Sequence, residues 1–321
     1  MELPSSAEIE QAQRVVYAHM APTPQYSWPL VNQQLGTEVW LKHENHSPVG
    51  AFKLRGALVY IDWLKRSQPG LQGVVAATRG NHGQGVGMAA RLHGLKALIV
   101  VPHGNSKEKN RAMAAQGVEL IVHGNDFQES LEHAAVLAAR HGYAMVESFH
   151  PKLVAGTGTY AKEFLEGAPP LDTVYVPIGL GSSVCGMAAA RNALGLKTEI
   201  VGVVSKSSPS YSLSFYQRMV VEAPSETRIA DGLACRKPNQ LAMDFIWKDV
   251  SRIVGVSDGE IAAAMRALFE DTHNLVEGAG AAGVAAALAE KELNRGKRIG
   301  IVITGGNVDM DLYAQVLAGE L

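Results

Sequence analysis

The chain has 321 residues, 47% of them hydrophobic and only 19% charged, with a formal net charge of −2. That length suits about two domains. The apolar share excludes a disordered chain, and the even charge argues against a nucleic-acid binder, which carries a basic excess. No apolar run reaches the ~18 residues of a spanning helix, and Met1–Glu10 lacks the bases and apolar stretch of a secretion signal.

Cys185 and Cys235 are too few for a disulfide framework or a four-cysteine zinc site. A cytoplasmic globular protein with no membrane or nucleic-acid partner is therefore expected. The unusual figure is glycine: 33 residues, about a tenth of the chain, against a usual ~7%.

In chain order, Ser5 and Ser6 ahead of Glu8 predict a helix start, and the helical pattern runs to about His19. Thr37–Lys42 alternates like a strand. Short Val- and Ile-rich runs then predict strands at Gly73–Ala77, Ala97–Val101, Val118–Val122, Thr173–Pro177, Glu199–Val204 and Ile299–Ile303. They do not alternate, as expected of strands buried on both faces. Helical patterns such as Glu129–Arg140 and Gly259–Thr272 lie between them. Strands alternating with helices predict an α/β fold with parallel sheets. No linker or repeat interrupts the pattern, so two subdomains should pack closely and interleave in sequence.

Three glycine clusters directly follow predicted strands: Thr78-Arg79-Gly80-Asn81-His82, Gly179-Leu180-Gly181-Ser182-Ser183 and Thr304-Gly305-Gly306-Asn307. In open α/β sheets, ligands bind beyond the carboxyl ends of the strands. Gly179–Ser183 reads either as a tight βα turn or as an anion cradle of backbone amides at a helix N-terminus, with Ser182 and Ser183 hydroxyls as added donors. A dinucleotide site is disfavoured, because Val184 holds the sixth position of the G-x-G-x-x-G pattern and no acid ends the next strand. A single phosphate ester fits better.

Lys53 follows a Pro48–Gly50 turn and begins a helical pattern. It reads either as a solvated first-turn lysine or as a buried one whose pKa is lowered by burial and the helix dipole. The second is what a Schiff-base lysine needs.

The segment Gly50-Ala51-Phe52-Lys53-Leu54-Arg55-Gly56-Ala57 resembles the pyridoxal-phosphate (PLP) lysine motif of the serine/threonine dehydratase family. Thr78–His82, Gly179–Ser183 and Thr304–Asn307 resemble that family's asparagine loop, phosphate loop and pyridine-facing loop. His150-Pro151, Ala155–Thr159, Ala230-Asp231-Gly232 and Glu277–Ala281 match further segments in order. The resemblance implies a two-domain PLP fold of type II, the tryptophan-synthase-β type. Its large PLP-binding domain would comprise residues 1–72 and 149–321, and a small mobile domain residues 73–148. No C-terminal regulatory domain is expected, and a homodimer is.

By the same resemblance, Lys53 would hold PLP covalently and act as base at the substrate Cα. Phe52 would pack beside the cofactor, and Asn81 would bind its 3-hydroxyl. Gly179, Leu180, Gly181, Ser182 and Ser183 would bind its phosphate, and Thr304 would face its pyridine nitrogen. Thr78, Arg79, Gly80, Asn81 and His82 would bind the substrate carboxylate. Glu277 would line the pocket.

The sequence departs from the family in places. Ala51 replaces a serine, and Ser47 and Val49 stand where Gln and Thr are common. Arg79 stands where related serine racemases have a serine acid/base, so racemase activity is not expected. Arg79 reads as a surface or internally paired arginine, or as a group reaching an acidic β-substituent. Val204 and Ser210 stand where some relatives carry metal ligands, so no metal is expected there.

The expected reaction is PLP-dependent dehydration of a β-hydroxy amino acid, L-threonine or L-serine first, to a 2-oxo acid and ammonia. The rivals are phenylserine or threo-3-hydroxyaspartate as substrate, PLP-dependent β-replacement, or a cofactor-binding protein without catalysis. The intact Lys53 argues against the last.

Overall fold

The structure, a computed structural model, describes residues 2–321. Helix α1 (Ser6–Tyr17) opens at Ser5, whose hydroxyl accepts from the Glu8 amide while the Glu8 carboxylate accepts from the Ser5 amide. Strand β1 (Gln25–Tyr26), α2 (Pro29–Leu35), β2 (Glu38–His43) and α3 (Lys53–Ser67) follow. The chain then builds β3 (Gly73–Ala77), α4 (Asn81–Leu92), β4 (Lys96–Val101), α5 (Lys107–Ala115), β5 (Glu119–Val122), α6 (Phe127–His141) and β6 (Ala144–Met145). It returns through α7 (Pro151–Gly167), β7 (Thr173–Pro177), α8 (Ser182–Ala193), β8 (Glu199–Ser205), α9 (Ser210–Gln217) and α10 (Gln240–Asp249). The last elements are β9 (Arg252–Val256), α11 (Asp258–Thr272), α12 (Gly278–Ala289), β10 (Arg298–Ile303) and α13 (Met310–Leu317).

The strands form two sheets. One runs β1-β2-β10-β7-β8-β9, parallel except for the β1–β2 pair, and the other is an all-parallel sheet, β5-β4-β3-β6. The second sheet draws all its strands from residues 73–145, between the first two strands of the larger sheet and its remaining four. Strands β3 and β7 are buried at every residue, as their continuous apolar runs require. Strand β5 differs: it lies at a sheet edge and is exposed at Glu119 and Val122. Its apolar run therefore does not mark burial on both faces. Strand β9 was not among the expected strands; Arg252 and Gly255 dilute its apolar run.

Helix α7 packs against α1, α3 and α8. The approach is closer than any side chain allows. A Cβ on Gly156 would lie 2.4 Å from the Arg55 carbonyl oxygen, and one on Gly186 2.8 Å from the Gly158 amide. Part of the glycine excess therefore serves helix crossings behind the site, where the backbones touch directly.

The same region buries four charges. Lys42, Glu44 and Arg55 are completely inaccessible. Arg55 donates to Glu44 from Nε at 2.8 Å and to Glu163 from Nη1 at 2.6 Å, and Lys42 Nζ lies 2.6 Å from Glu163. Two cations and two carboxylates balance, which is the condition for burying ions. Burial pushes the Glu163 carboxyl up, but the Arg55 and Lys42 charges outweigh it and hold it below its ordinary value. Because Arg55 is two residues past Lys53 in α3, this cluster anchors the helix that begins with Lys53.

Candidate active site

Lys53 is held by its backbone neighbours. The Ser47 hydroxyl accepts from the Ala51 amide at 2.9 Å and donates to the Ala51 carbonyl at 2.8 Å, stapling a turn in which Gly50 takes φ +67°. The Phe52 amide donates to the Thr304 carbonyl and the Gly306 amide to the Gly50 carbonyl, while Ala51 bridges Gly305. The Thr304 loop at the end of β10 thus fixes where α3 starts. The Lys53 ammonium sits 4.8 Å from the Phe52 ring centroid. It forms no ion pair within 4.0 Å among the described residues, and burial pulls its pKa down to about 8 against the opposing charge of Glu277. Lys53, Gly56, His82, Ser148, Leu153, Thr157 and Ser182 line one cleft. A roomier groove of about 250 Å³ lies elsewhere, between α1, α3 and the start of α7, and none of the expected site residues lines it.

The second cluster joins β7 to α8. Gly181 takes φ +97°, and a Cβ on Gly179 would lie 2.4 Å from the Gly232 carbonyl oxygen. Among the described residues, no amide from Gly179 to Ser183 donates to a protein acceptor. Five amides without a protein acceptor, leading into a helix N-terminus, can serve as an anion cradle. The two serine side chains sit differently: Ser183 Oγ has a protein partner, and Ser182 Oγ has none among the described residues. Ser183 Oγ is hydrogen-bonded to Tyr160 Oη at 2.7 Å inside the core. Ser182 is buried and its carbonyl accepts from Thr157 at 2.7 Å. Leu180 is half-buried and packs on the core beneath the loop.

In the third loop, Thr78 is buried and its hydroxyl accepts from the Gly80 amide at 3.0 Å. Asn81 opens α4; its Nδ2 donates to Glu277 Oε1 at 2.7 Å, and its Oδ1 accepts from Asn307 Nδ2 at 2.9 Å. His82 stands in the cleft with Lys53. Burial first, and the Lys53 charge second, lower its pKa to about 3, so it is neutral, and its buried Nε2 has no protein partner. Thr304 is buried, and its hydroxyl has no partner among the described residues. Arg79 is exposed, does not line the cleft, and makes no ion pair with a described residue. The internally paired reading of Arg79 is therefore not what the structure has.

Residues 16–305 match the profile of a family described as pyridoxal-phosphate dependent enzyme. The chain belongs to that family. It is 34% identical over 311 residues to the L-threonine ammonia-lyase of Thermotoga maritima, covering 97% of this chain and 77% of the relative. It is also 34% identical over 324 aligned residues to the L-threo-3-hydroxyaspartate ammonia-lyase of Saccharomyces cerevisiae, covering 100% and 98%. The solved structure of maize serine racemase superposes with a TM-score of 0.92 at 28% identity, covering 99% of this chain and 98% of that one.

The residues present fit the cofactor of a pyridoxal-phosphate enzyme. An amine of lowered pKa and a cradle of free amides are the two groups that an aldehyde and a phosphate ester need. Sequence reasoning placed Asn307 in a glycine cluster without its contact to Asn81, and it did not find Lys109. Both contacts span more than 160 residues, and no local pattern marks such a pairing.

Proposed function

We propose that this pyridoxal-phosphate enzyme is a dehydratase that converts a β-hydroxy amino acid, L-threonine or L-serine first, to a 2-oxo acid and ammonia. The observation that carries the reading is the Lys53 amine, unpaired and lowered to about 8, in one cleft with Ser182 of the amide cradle. When bound, the cofactor supplies an electron sink conjugated to the substrate Cα. The Gly179–Ser183 amides would hold its phosphate, and the second hydrogen on Asn81 Nδ2 would serve its 3-oxygen. Thr304 Oγ1 would donate to its ring nitrogen; a hydroxyl, unlike a carboxylate, would leave that nitrogen neutral and the sink weak.

A weak sink favours prompt loss of the β-hydroxyl over reprotonation at Cα. Lys53 Nζ takes the Cα proton, and amides at the start of α4 hold the substrate carboxylate. His82, neutral, adds no charge beside that carboxylate. The β-hydroxyl and, net, the Cα proton are lost as one water, and hydrolysis of the released enamine takes up one water, giving a 2-oxo acid and ammonia. We assign residues 73–148 to a mobile unit over a cofactor unit of residues 1–72 and 149–321. Assembly as a homodimer in the cytoplasm belongs to the same reading, and sedimentation tests the dimer.

Retained cofactor absorbance that disappears in Lys53→Ala, together with 2-oxo acid release from β-hydroxy amino acids, tests the reading. Absence of 2-oxo acid from every substrate would defeat it. A second substrate class, threo-3-hydroxyaspartate, is favoured by the 34% identity to the yeast relative; Arg79, exposed next to Gly80 and outside the cleft lining, is the cation that would have to turn toward its β-carboxylate. Arg79→Ala should then lower kcat/KM for the acidic substrate far more than for L-threonine; an equal loss for both would remove this option.

A further inference from the structure

Helix α5 begins a seam between the two sheets. Ser106 Oγ donates to Asp309 Oδ1 at 2.5 Å, and the Met310 amide donates to Glu108 Oε1 at 3.3 Å. Lys109 comes next, and it is buried. Its Nζ donates to both Asp231 oxygens, at 2.9 and 2.7 Å, and lies 3.4 Å from Glu277 Oε2. Its stem crosses the α4 loop: a Cβ on Gly80 would fall 2.4 Å from Lys109 Cδ.

Glu277 passes the contact onward. Its other oxygen accepts from Asn81 Nδ2, and Asn307 Nδ2, anchored on the Val49 carbonyl at 2.8 Å, donates to Asn81 Oδ1. A carboxylate on one side and an amide donor on the other fix which end of the Asn81 carboxamide points which way.

We propose that Lys109 is a positioning residue: it clamps α4 and α5 onto Asp231 and Glu277, and through Glu277 it aims the Asn81 carboxamide at the cofactor ring. The proposal rests on the assignment of Asn81 to the cofactor made above. The groups facing Glu277 are Lys109 from α5, Asp231 from the Ala230–Gly232 segment, Asn81 from α4 and Lys53 from α3. Burial pushes the Glu277 carboxyl up, Lys109 pulls it down, and Asp231 pushes it up again. Removing the ammonium leaves burial and Asp231 unopposed apart from the Asn81 bond and the more distant Lys53. Glu277 then takes up a proton at higher pH, and the acceptor that holds Asn81 becomes a weaker one.

The test uses the holoenzyme and its Lys109→Met, Lys109→Arg and Glu277→Gln variants. Two quantities are followed against pH: absorbance of the bound cofactor without substrate, and kcat/KM on L-threonine. In Lys109→Met both acid-side transitions should move up by about 1 pH unit or more, the scale of losing a close opposite charge. Lys109→Arg should return them toward wild type, and Lys109→Met should add no displacement in a Glu277→Gln background. Lys109→Gln carries the same expectation if the Met variant does not fold. Transitions that coincide with wild type while only the melting temperature falls would overturn the proposal, as would an Arg variant that behaves like Met. If the wild type releases no 2-oxo acid, the dehydratase reading fails, while the absorbance titration still decides the role of Lys109.

Discussion

Gly156→Ala perturbs the site from behind. The added Cβ would lie 2.4 Å from the Arg55 carbonyl oxygen and 2.6 Å from Gly56 Cα, both backbone atoms that no rotamer change can move. Optimal contact is ~3.5 Å, so α7 and α3 must separate by about 1 Å. Overpacking of this kind costs about 1–3 kcal/mol of stability. Because α3 begins with Lys53, the same displacement reaches the reacting amine, where a 1 Å misplacement lowers the rate by ~10²-fold.

The assay is kcat/KM on the best substrate, with the melting temperature and cofactor absorbance of the same preparation. Gly259→Ala serves as control: it lies in the first turn of α11 with nothing within 4 Å of the added Cβ, so it should leave activity unchanged. A Gly156→Ala enzyme within about threefold of wild type, with an unchanged melting temperature, would refute the claim that glycine backbone contact places Lys53.

Two further outcomes follow from the buried charges. Glu163→Gln leaves Arg55 and Lys42 facing Glu44 alone, so guanidinium unfolding should show a loss of about 3–5 kcal/mol; under ~1 kcal/mol would mean the cluster is solvated. Lys53 reacts with an aldehyde only as the neutral amine, and its pKa is lowered to about 8. The rate at which cofactor-free protein captures pyridoxal phosphate should therefore rise with pH and reach half its maximum near pH 8; a midpoint above 10 would show an ordinary, solvated lysine.

Much of the site was legible because its signals are local. A glycine cluster after a buried strand is readable from a few residues, and Gly179–Ser183 forms the turn from β7 into α8. Lys53 was legible for the same reason: a cation at a helix N-terminus conflicts with the dipole and asks for an explanation. What could not be read depends on partners far apart in the chain. Nothing near Arg55 announces Glu163, and nothing near Asn81 announces Asn307. Strand β5 shows a second limit: an apolar run describes side chains, whereas edge or centre is decided by the order of pairing. The glycines gave both results, since those in loops were interpretable by position and those at helix crossings were not.

The central claim is that Lys53 and the amide cradle support dehydration of a β-hydroxy amino acid. The most direct measurement is product analysis of the wild-type enzyme and Lys53→Ala with L-threonine, L-serine and L-threo-3-hydroxyaspartate. Equimolar 2-oxo acid and ammonia from at least one substrate, lost in Lys53→Ala, is the predicted result. Equal turnover by Lys53→Ala, or no 2-oxo acid from any of the three, would contradict it.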